Sequence, residues 1–584
     1  MFLEELNISR FRSCASTNVR FQKELTVLVG ENNSGKSNII DAIRLLTYPI
    51  NGRRDRYPEI EDLTRGSTES DFTVEGHFSD LSSTQKGLLI TAVPDPTHDK
   101  AIFGVRFQTK DKKSPRGRTT HWAGKFEDAE PEPGSTDLIR HVYLPPLRDA
   151  QRTLGSGASG SMINLLRHFI AGDEALEDEF VGHAQKAGAP HKVLTEINTE
   201  ITSALDELTD GARPQKATLD FHIEELLDIA RDLRFRLADA GIEPEDISRS
   251  GLGYANLLYI STVAVELEKA QQADLTVFLV EEPEAHLHPQ LQMLVLEYLL
   301  DKAKESQKSK GQAGDPEGAI QVVVTTHSPN LTSWVSPKHL VVARSKAAGG
   351  TVSIPLSALN LKSEELDKVD RYLDVTKSAM LFGGRTLLVE GIAEAILIPV
   401  IAQSIVLKDN KTAWRRFKGS VIAPIDTVDF SPYIKILLGS VEGECVSDRV
   451  VVVTDGDNAD DKGKTQGEAR KATLEAQAAV LGQEKRLSVW INERTLEHEL
   501  FKAGNDDVLK AAFLDQFPKS EHRWSNDVEV FQPECRADAL IELMKDTNTR
   551  KGQFAQSIAD QIKKGQKFKT PSYIEKAIKA LVAE

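Results

Sequence analysis

The eight residues Gly30-Glu31-Asn32-Asn33-Ser34-Gly35-Lys36-Ser37 constrain this chain more than any other stretch of it. They form a complete G-x-x-x-x-G-K-S loop in the context that gives such a loop its mechanism. Before it lies the apolar run Thr26-Val27-Leu28-Val29. After it, Ile39, Ile40, Ile43 and Leu46 recur at helical spacing over Asn38–Leu46. The glycines let backbone N–H groups turn inward around phosphates, and the helix N-terminus adds favourable partial charge. Lys36 is expected to reach the β- and γ-phosphates, and the Ser37 hydroxyl to ligate Mg²⁺. ATP or GTP is the implied ligand, with Gly30, Asn32, Asn33, Ser34, Gly35, Lys36, Ser37 and Asn38 as candidate contacts.

Such a site needs a second half, an apolar strand ending in carboxylates, and Val277-Phe278-Leu279-Val280-Glu281-Glu282-Pro283 supplies it. Glu281 is expected to hold Mg²⁺, often through water, and Glu282 to orient or deprotonate the attacking water. Ser250-Gly251-Leu252-Gly253 opens an apolar helix from Tyr254 to Val265, and Gln321–Pro329 places His327 at the end of another strand. This set resembles the ABC-type ATPase heads of the SMC and RecF-like group. The resemblance makes Ser250 and Gly251 a signature that meets the γ-phosphate on another subunit's P-loop. It makes Glu284-Ala285-His286-Leu287-His288-Pro289 a D-loop and His327 a switch histidine. Arg249 before the serine, and Tyr254 where a glutamine often stands, depart from the usual signature.

At roughly 100–200 residues per domain, 584 residues imply several domains. Strands and helices alternate from Leu233 to Ser345 and again from Arg385 to Ile491, which means parallel sheets covered by helices. Phe72–Phe107 reads as alternating strands, Asp111–Asp128 as a charged loop, Gly155–Gly160 as a flexible joint and Lys302–Gly318 as the most polar loop. Met162 to about Ile229 is helical and amphipathic, with Ile197, Ile201, Leu205 and Leu208 on one stripe. The expected fold is therefore α/β, with two sheet domains and a helical insertion in the first.

The second alternating region carries its own acidic chemistry. Leu387-Leu388-Val389-Glu390-Gly391-Ile392-Ala393-Glu394 ends a strand, turns on glycine and opens a helix, and Arg449–Thr454 runs into Asp455-Gly456-Asp457. Neighbouring parallel strands lie roughly 5 Å apart, so these carboxylates can meet at one sheet edge. Gathered acids repel unless divalent cations neutralise them, an arrangement suited to two-metal phosphodiester cleavage. Glu497 and Glu499 follow the last strand of this sheet.

Glu390-Gly391 followed by Asp455-Gly456-Asp457 resembles the Toprim domain of topoisomerases, primases and certain nucleases. Ala459 stands where a third acidic residue would complete an Asp-x-Asp-x-Asp run, which points away from topoisomerase-like metal usage. An ABC-type head joined directly to a C-terminal Toprim domain resembles the OLD (overcoming lysogenization defect) family of ATP-dependent endonucleases. The likeness covers nearly the whole chain. It includes Phe11-Arg12-Ser13, Leu144-Pro145-Pro146-Leu147-Arg148-Asp149, Thr326-His327-Ser328, Leu381-Phe382 and Lys551-Gly552-Gln553-Phe554-Ala555. It implies an ATPase head at 1–157 and 231–375, a dimerising helical insertion at 158–230, and a Toprim nuclease domain with a helical extension at 376–584. By the same likeness Glu390, Glu394, Asp455, Asp457 and Glu497 bind Mg²⁺ or Mn²⁺, and Lys551 steadies the pentacovalent phosphate. DNA is the implied partner, in a homodimer or larger homo-oligomer, with phage defence, a helper defence protein or DNA processing as the setting.

Composition narrows the alternatives. A net charge of −16 argues against coating nucleic acid through bulk charge, yet leaves local basic clusters at Lys110, Lys112, Lys113, Arg116 and Arg118, and at Lys563, Lys564, Lys567 and Lys569. Three scattered cysteines form neither a disulfide framework nor a zinc site. The N-terminus lacks a secretory pattern, and Ala395–Leu407 falls short of the roughly 18–20 apolar residues of a spanning helix, so a reducing cytoplasm without a membrane partner is expected. The rival reading is a RecF- or SMC-like DNA-binding ATPase whose second sheet is only structural. That rival gives no reason for acids to end corresponding strands.

Overall fold

A computed structural model describes residues 1–50, 54, 56–109, 117–146, 166, 169–170, 173–185, 192–209, 215–220, 234–239, 245–246, 251–269, 273–285, 287–308, 316–346, 349–359, 361–373, 375–457 and 465–583. The chain divides into two compact units, Met1–Pro355 and Leu356–Glu584. Ser250, Arg249, His286, Arg148, Asp149, the Gly155–Gly160 joint, Ala459 and the basic residues Lys110, Lys112, Lys113 and Arg116 lie outside the described residues.

The first unit is built on a seven-stranded sheet in the order Thr351–Pro355, Leu340–Ser345, Leu25–Val29, Ala319–Thr326, Leu275–Glu281, Ile139–Leu144 and Tyr48–Pro49. Its strands are parallel except at Thr351–Pro355, which returns antiparallel to Leu340–Ser345. Leu25–Val29, Leu275–Glu281 and Ala319–Thr326 are buried along their whole length, which is why they read as continuous apolar runs rather than alternating ones. The register pairs Val29 with Thr326 and Glu281 with Thr325, so the P-loop, the acidic strand end and His327 leave the sheet at the same edge.

A five-stranded antiparallel sheet, Cys14–Arg20, Phe2–Phe11, Asp71–Ser79, Lys100–Gln108 and Arg118–Ala123, packs its apolar face into the same core as the helix Lys36–Leu46. Its last strand corrects the expectation of a loop across Asp111–Asp128. Thr119, Thr120 and His121 pair with Phe107, Arg106 and Val105, and Trp122 lies over Gly104, where a Cβ would stand 2.1 Å from the indole. Within Met162–Ile229, helices Glu174–Gln185 and Lys192–Thr209 are joined by a strand, Gln215–Asp220, that pairs with Arg234–Asp239. That region is thus helical only in part. Ile197, Ile201, Leu205 and Leu208 are fully buried against neighbours in the unit. Lys302–Lys308, expected in a loop, completes the helix Pro289–Lys308.

In the second unit a four-stranded parallel sheet runs Val421–Pro424, Arg385–Val389, Arg449–Thr454 and Leu487–Ile491. Helices Ile392–Ile401, Gln466–Val480 and Leu496–Lys502 follow its strands, and Lys551–Lys563 and Ser572–Val582 join Leu387, Val389, Val451 and Val453 in one core. Among the described residues no helix is long and apolar enough to cross a membrane.

Candidate functional sites

The strand Leu25–Val29 delivers the chain into a loop whose backbone permits few side chains. Gly30 (φ +150°) lies against the Ala343 carbonyl, where a Cβ would come within 2.2 Å, and Gly35 (φ +96°) against the Thr351 hydroxyl at 2.1 Å. Asn33 also takes a left-handed conformation, at φ +62°. Lys36 is 4% exposed and folds back on the loop, donating to the Gly30 and Glu31 carbonyls at 2.8 Å and to Ser34 Oγ at 3.2 Å. Burial pulls its ammonium down to about 8, against the opposing pull of Glu282, Glu284, Glu31 and Glu281. A polyphosphate entering here would replace carbonyl partners with anionic oxygens and restore the charge.

Ser37 Oγ donates to Glu281 Oε2 at 2.8 Å, so the two residues expected to share Mg²⁺ already touch. Tyr143, at the end of the neighbouring strand, donates to the other oxygen, Oε1, at 3.1 Å. Burial pushes the Glu281 carboxyl up, and burial with Glu281 beside it pushes the Tyr143 phenol up. Glu282 holds a strained φ of +47° and lies 3.4 Å from His327 Nε2, while His327 Nδ1 stands 3.3 Å from Lys36 Nζ. Burial, then Lys36, lowers the His327 pKa and favours a neutral ring. Glu284 fixes this histidine from behind, accepting from Thr326 Oγ1 at 2.7 Å and from the His327 backbone N–H at 2.8 Å.

Asn32 and Asn33 are exposed at the loop's outer rim. Asn38 turns away from the loop: its amide donates to Ser13 Oγ at 2.7 Å and accepts from Arg12 at 3.1 Å. Arg12 in turn pairs with Asp41 and Asp62. Gly251 is exposed just before the helix Leu252–Lys269. Tyr143, Glu284 and Thr326 were not singled out by sequence reasoning as site residues in their own right. A tyrosine two residues before Pro145 carries no motif, and only strand pairing puts it beside Glu281.

In the second unit, Glu390, Glu394, Asp455, Glu497 and Lys551 line one cavity of about 440 Å³ with Ile392, Asp426 and Val428. Three parallel strands end here, and the first turns of three helices complete the ring. Glu390 Oε2 accepts from Thr454 Oγ1 at 2.7 Å and from the Asp455 N–H at 3.0 Å. Asn492 donates to Asp455 Oδ1 at 2.6 Å. Burial, then Glu394, Glu390 and Glu497, pushes Asp455 up to about 8; burial, then Glu497 and Glu390, pushes Glu394 up to about 7. Lys551 Nζ lies 3.4 Å from Glu497 Oε2, and its pKa is raised by the surrounding acids over the opposing effect of burial.

Asp457 stands apart from that cavity lining. Its backbone is left-handed (φ +57°), and its carboxylate meets the Arg470 guanidinium at 2.9 Å. Among the described residues, no three acidic or histidine side chains are gathered around a single point as a metal would need. The acids ring the cavity instead, held apart by mutual repulsion and by Asn492, Lys551 and Arg470. Their all-oxygen donors, with the Asp455 and Glu394 carboxyls pushed up by burial and by neighbouring acids, fit hard divalent cations that displace protons on binding. Arg470 and Asn492 were missed by sequence reasoning because neither lies in a motif.

Comparisons with known proteins bear on both units. A family described as an AAA ATPase domain matches residues 1–120 and 168–332. The Old nuclease of Escherichia phage P2 is 25% identical over 69% of this chain and 70% of its own. Endonuclease GajA of Bacillus cereus (strain VD045) is 20% identical over 69% of this chain and 68% of its own. Both likenesses are too long to end within the ATPase unit. These likenesses support an OLD-family ATPase–nuclease. The RecF protein of Arthrobacter sp. (strain FB24) is 27% identical, but over only 39% of this chain and 59% of its own length. A RecF-type reading therefore accounts for part of the molecule.

Proposed function

We propose that this chain is an OLD-family enzyme that cleaves or nicks duplex DNA at the carboxylate-lined cavity of its second unit, under control of ATP bound in the first. The supporting observation is the convergence of Glu390, Glu394, Asp455 and Glu497 with Lys551 on one cavity from five separate points of the chain. Mg²⁺ or Mn²⁺ held there would supply an activated water and neutralise the leaving oxygen. Asp455 and Glu394 would bind and release protons as cations come and go, and Asn492 would keep Asp455 aimed inward. Lys551, on the first turn of its helix, would meet the charge that builds on the phosphate during attack. The Toprim assignment of residues 376–584 rests on this arrangement and on the parallel sheet beneath it.

In the first unit, Lys36 and Ser37 would hold the nucleotide, Glu281 its Mg²⁺, and Glu282 the attacking water, with His327 sensing the γ-phosphate. Ser250 and Gly251 would act on a second copy's nucleotide, making a homodimer or larger homo-oligomer the working form. A cytoplasmic role in phage defence or DNA processing follows from this reading. The test is incubation of the full chain with supercoiled DNA and Mg²⁺ or Mn²⁺, with and without ATP, beside Asp455→Ala. Nicking that depends on Asp455 supports the proposal. Unchanged nicking by Asp455→Ala removes it, and DNA binding with ATP turnover but no nicking would favour the RecF-like alternative.

A further inference from the structure

Among the described residues, Arg470 is the basic residue threaded into the carboxylate strand ends that neither motif predicts. Its helix, Gln466–Val480, starts on a Thr465 cap and presses its first turn onto the Asp455-Gly456 backbone. The Gly467 N–H donates to the Gly456 carbonyl at 2.9 Å, and a Cβ on Gly467 would lie 2.5 Å from the Asp455 carbonyl oxygen. One turn on, Arg470 reaches back over this contact. Its Nη1 donates to the Thr454 hydroxyl and to the Asp455 carbonyl at 3.1 Å, and lies 3.6 Å from Glu390 Oε2. Its Nη2 donates to Asp457 Oδ2 at 2.9 Å. The side chain is 11% exposed, against 33% for Asp457.

One guanidinium therefore serves three hydrogen-bond acceptors and an ion pair with Glu390, and it divides the cluster. Glu390, Glu394, Asp455 and Glu497 face the cavity with Lys551, while Asp457 is turned outward and neutralised. A divalent cation approaching Asp457 would meet a fixed positive charge at hydrogen-bond distance, in partly buried surroundings where that repulsion is poorly screened. The guanidinium has a better partner available in the substrate. Phosphodiester oxygens match its fork in pairs, and arginine is weakly hydrated enough to exchange one anionic partner for another.

We infer that Arg470 withholds Asp457 from a second metal ion until a DNA backbone phosphate draws the guanidinium away. This rests on the metal-site reading proposed above and adds a condition to it: ion binding at the outer position and DNA binding are coupled. Arg470 is in this sense a positioning residue, and the coupling must be reciprocal, each ligand tightening the other by the same factor.

The test counts bound Mn²⁺ on the nucleotide-free full chain from the electron paramagnetic resonance signal of free Mn²⁺. It is run with and without a cleavage-resistant phosphorothioate duplex, and again with inorganic phosphate in place of the duplex. For the wild type, the weaker ion is expected to bind about 10-fold or more tightly with duplex present, and Asp457→Asn to abolish that gain. Arg470→Gln is expected to bind the second ion tightly without DNA, and Arg470→Lys, which keeps the charge but not the fork, to withhold it without DNA and to gain less than wild type from the duplex. Equal Mn²⁺ affinity with and without duplex overturns the inference, and this arm needs no variant to fold. A gain matched by inorganic phosphate would overturn the requirement for a DNA backbone. Indistinguishable Mn²⁺ binding by wild type and Asp455→Asn would instead sink the metal-site reading itself.

Discussion

The molecule answers one chemical problem, gathering acids and a lysine at the edge of a parallel sheet, in two different ways. At the nucleotide site the lysine is buried and already coordinated by its own loop, with 2.8 Å bonds to the Gly30 and Glu31 carbonyls. At the cavity of the second unit the lysine is exposed and touches only the outermost reach of the cluster, Glu497 at 3.4 Å. The phosphate-binding part of the first site is pre-formed by eight consecutive residues. The second is assembled from segments between Glu390 and Lys551, and its acids stay apart until something neutralises them. Local sequence can preorganise a site for an anion; a site for cations, built from like charges, must rely on the fold to hold its parts against their repulsion.

The largest effect should come from the residue that carries most of that repulsion. Asp455→Ala is expected to lower DNA cleavage by about 10³-fold or more while leaving ATP hydrolysis near wild type. Plasmid nicking and phosphate release, measured on the same preparation, check it. Parallel loss of both activities would mean the two sites are not the separable devices described above.

Lys36→Ala tests the other side. Removing the buried ammonium should cut ATP turnover by about 10²-fold, with Mn²⁺ binding at the second unit unchanged. A loss of Mn²⁺ binding in this variant would break the comparison. Glu284→Gln should act more gently. It keeps one oxygen for both the Thr326 hydroxyl and the His327 N–H but removes the charge that strengthens both bonds, and about a 10-fold fall in turnover is expected. The fall should be in kcat, with the KM for ATP little changed.

The difference between the sites also explains what sequence could reveal. The P-loop, Glu281, Glu282 and His327 are legible because each ends a fully buried strand, and such strands announce themselves as unbroken apolar runs. Glu390, Glu394, Asp455 and Asp457 are visible for the same reason. What sequence could not reveal is orientation. Asp457 belongs to the same tripeptide as Asp455, yet its left-handed backbone sends it to Arg470. Asn38 sits one residue past the motif and serves Ser13 and Arg12 instead of the loop. Arg470, Asn492 and Tyr143 act through strand register and helix placement, and no local pattern records those; the D-loop pattern includes Glu284 but not its grip on Thr326 and His327. The strand Arg118–Ala123 was hidden in a charged stretch because its pairing depends on Gly104, a neighbour across the sheet that makes room for Trp122.

The smallest effect is the one that isolates the cost of an assembled acidic site. Asp455, facing Glu390, Glu394, Glu497, Lys551 and Asn492, is held up at about 8, and Glu394 at about 7, against ordinary values of 3.8 and 4.5. Between the ordinary and the raised values the folded state keeps protons that the unfolded chain has released. Stability from these two groups is therefore complete below about pH 4 and is lost as pH climbs through 7 and 8. Ion pairs elsewhere in the molecule trend the opposite way in acid, so the informative quantity is the difference between wild type and Asp455→Asn. In EDTA, the variant's melting temperature should pull ahead of wild type as pH rises from 5 to 8, by roughly a few degrees. Added Mg²⁺ should close that gap from the wild-type side, because the cation supplies the neutralisation that the proton no longer does. A gap that stays constant with pH would mean that the acids of this cavity do not share the repulsion on which the contrast between the two sites depends.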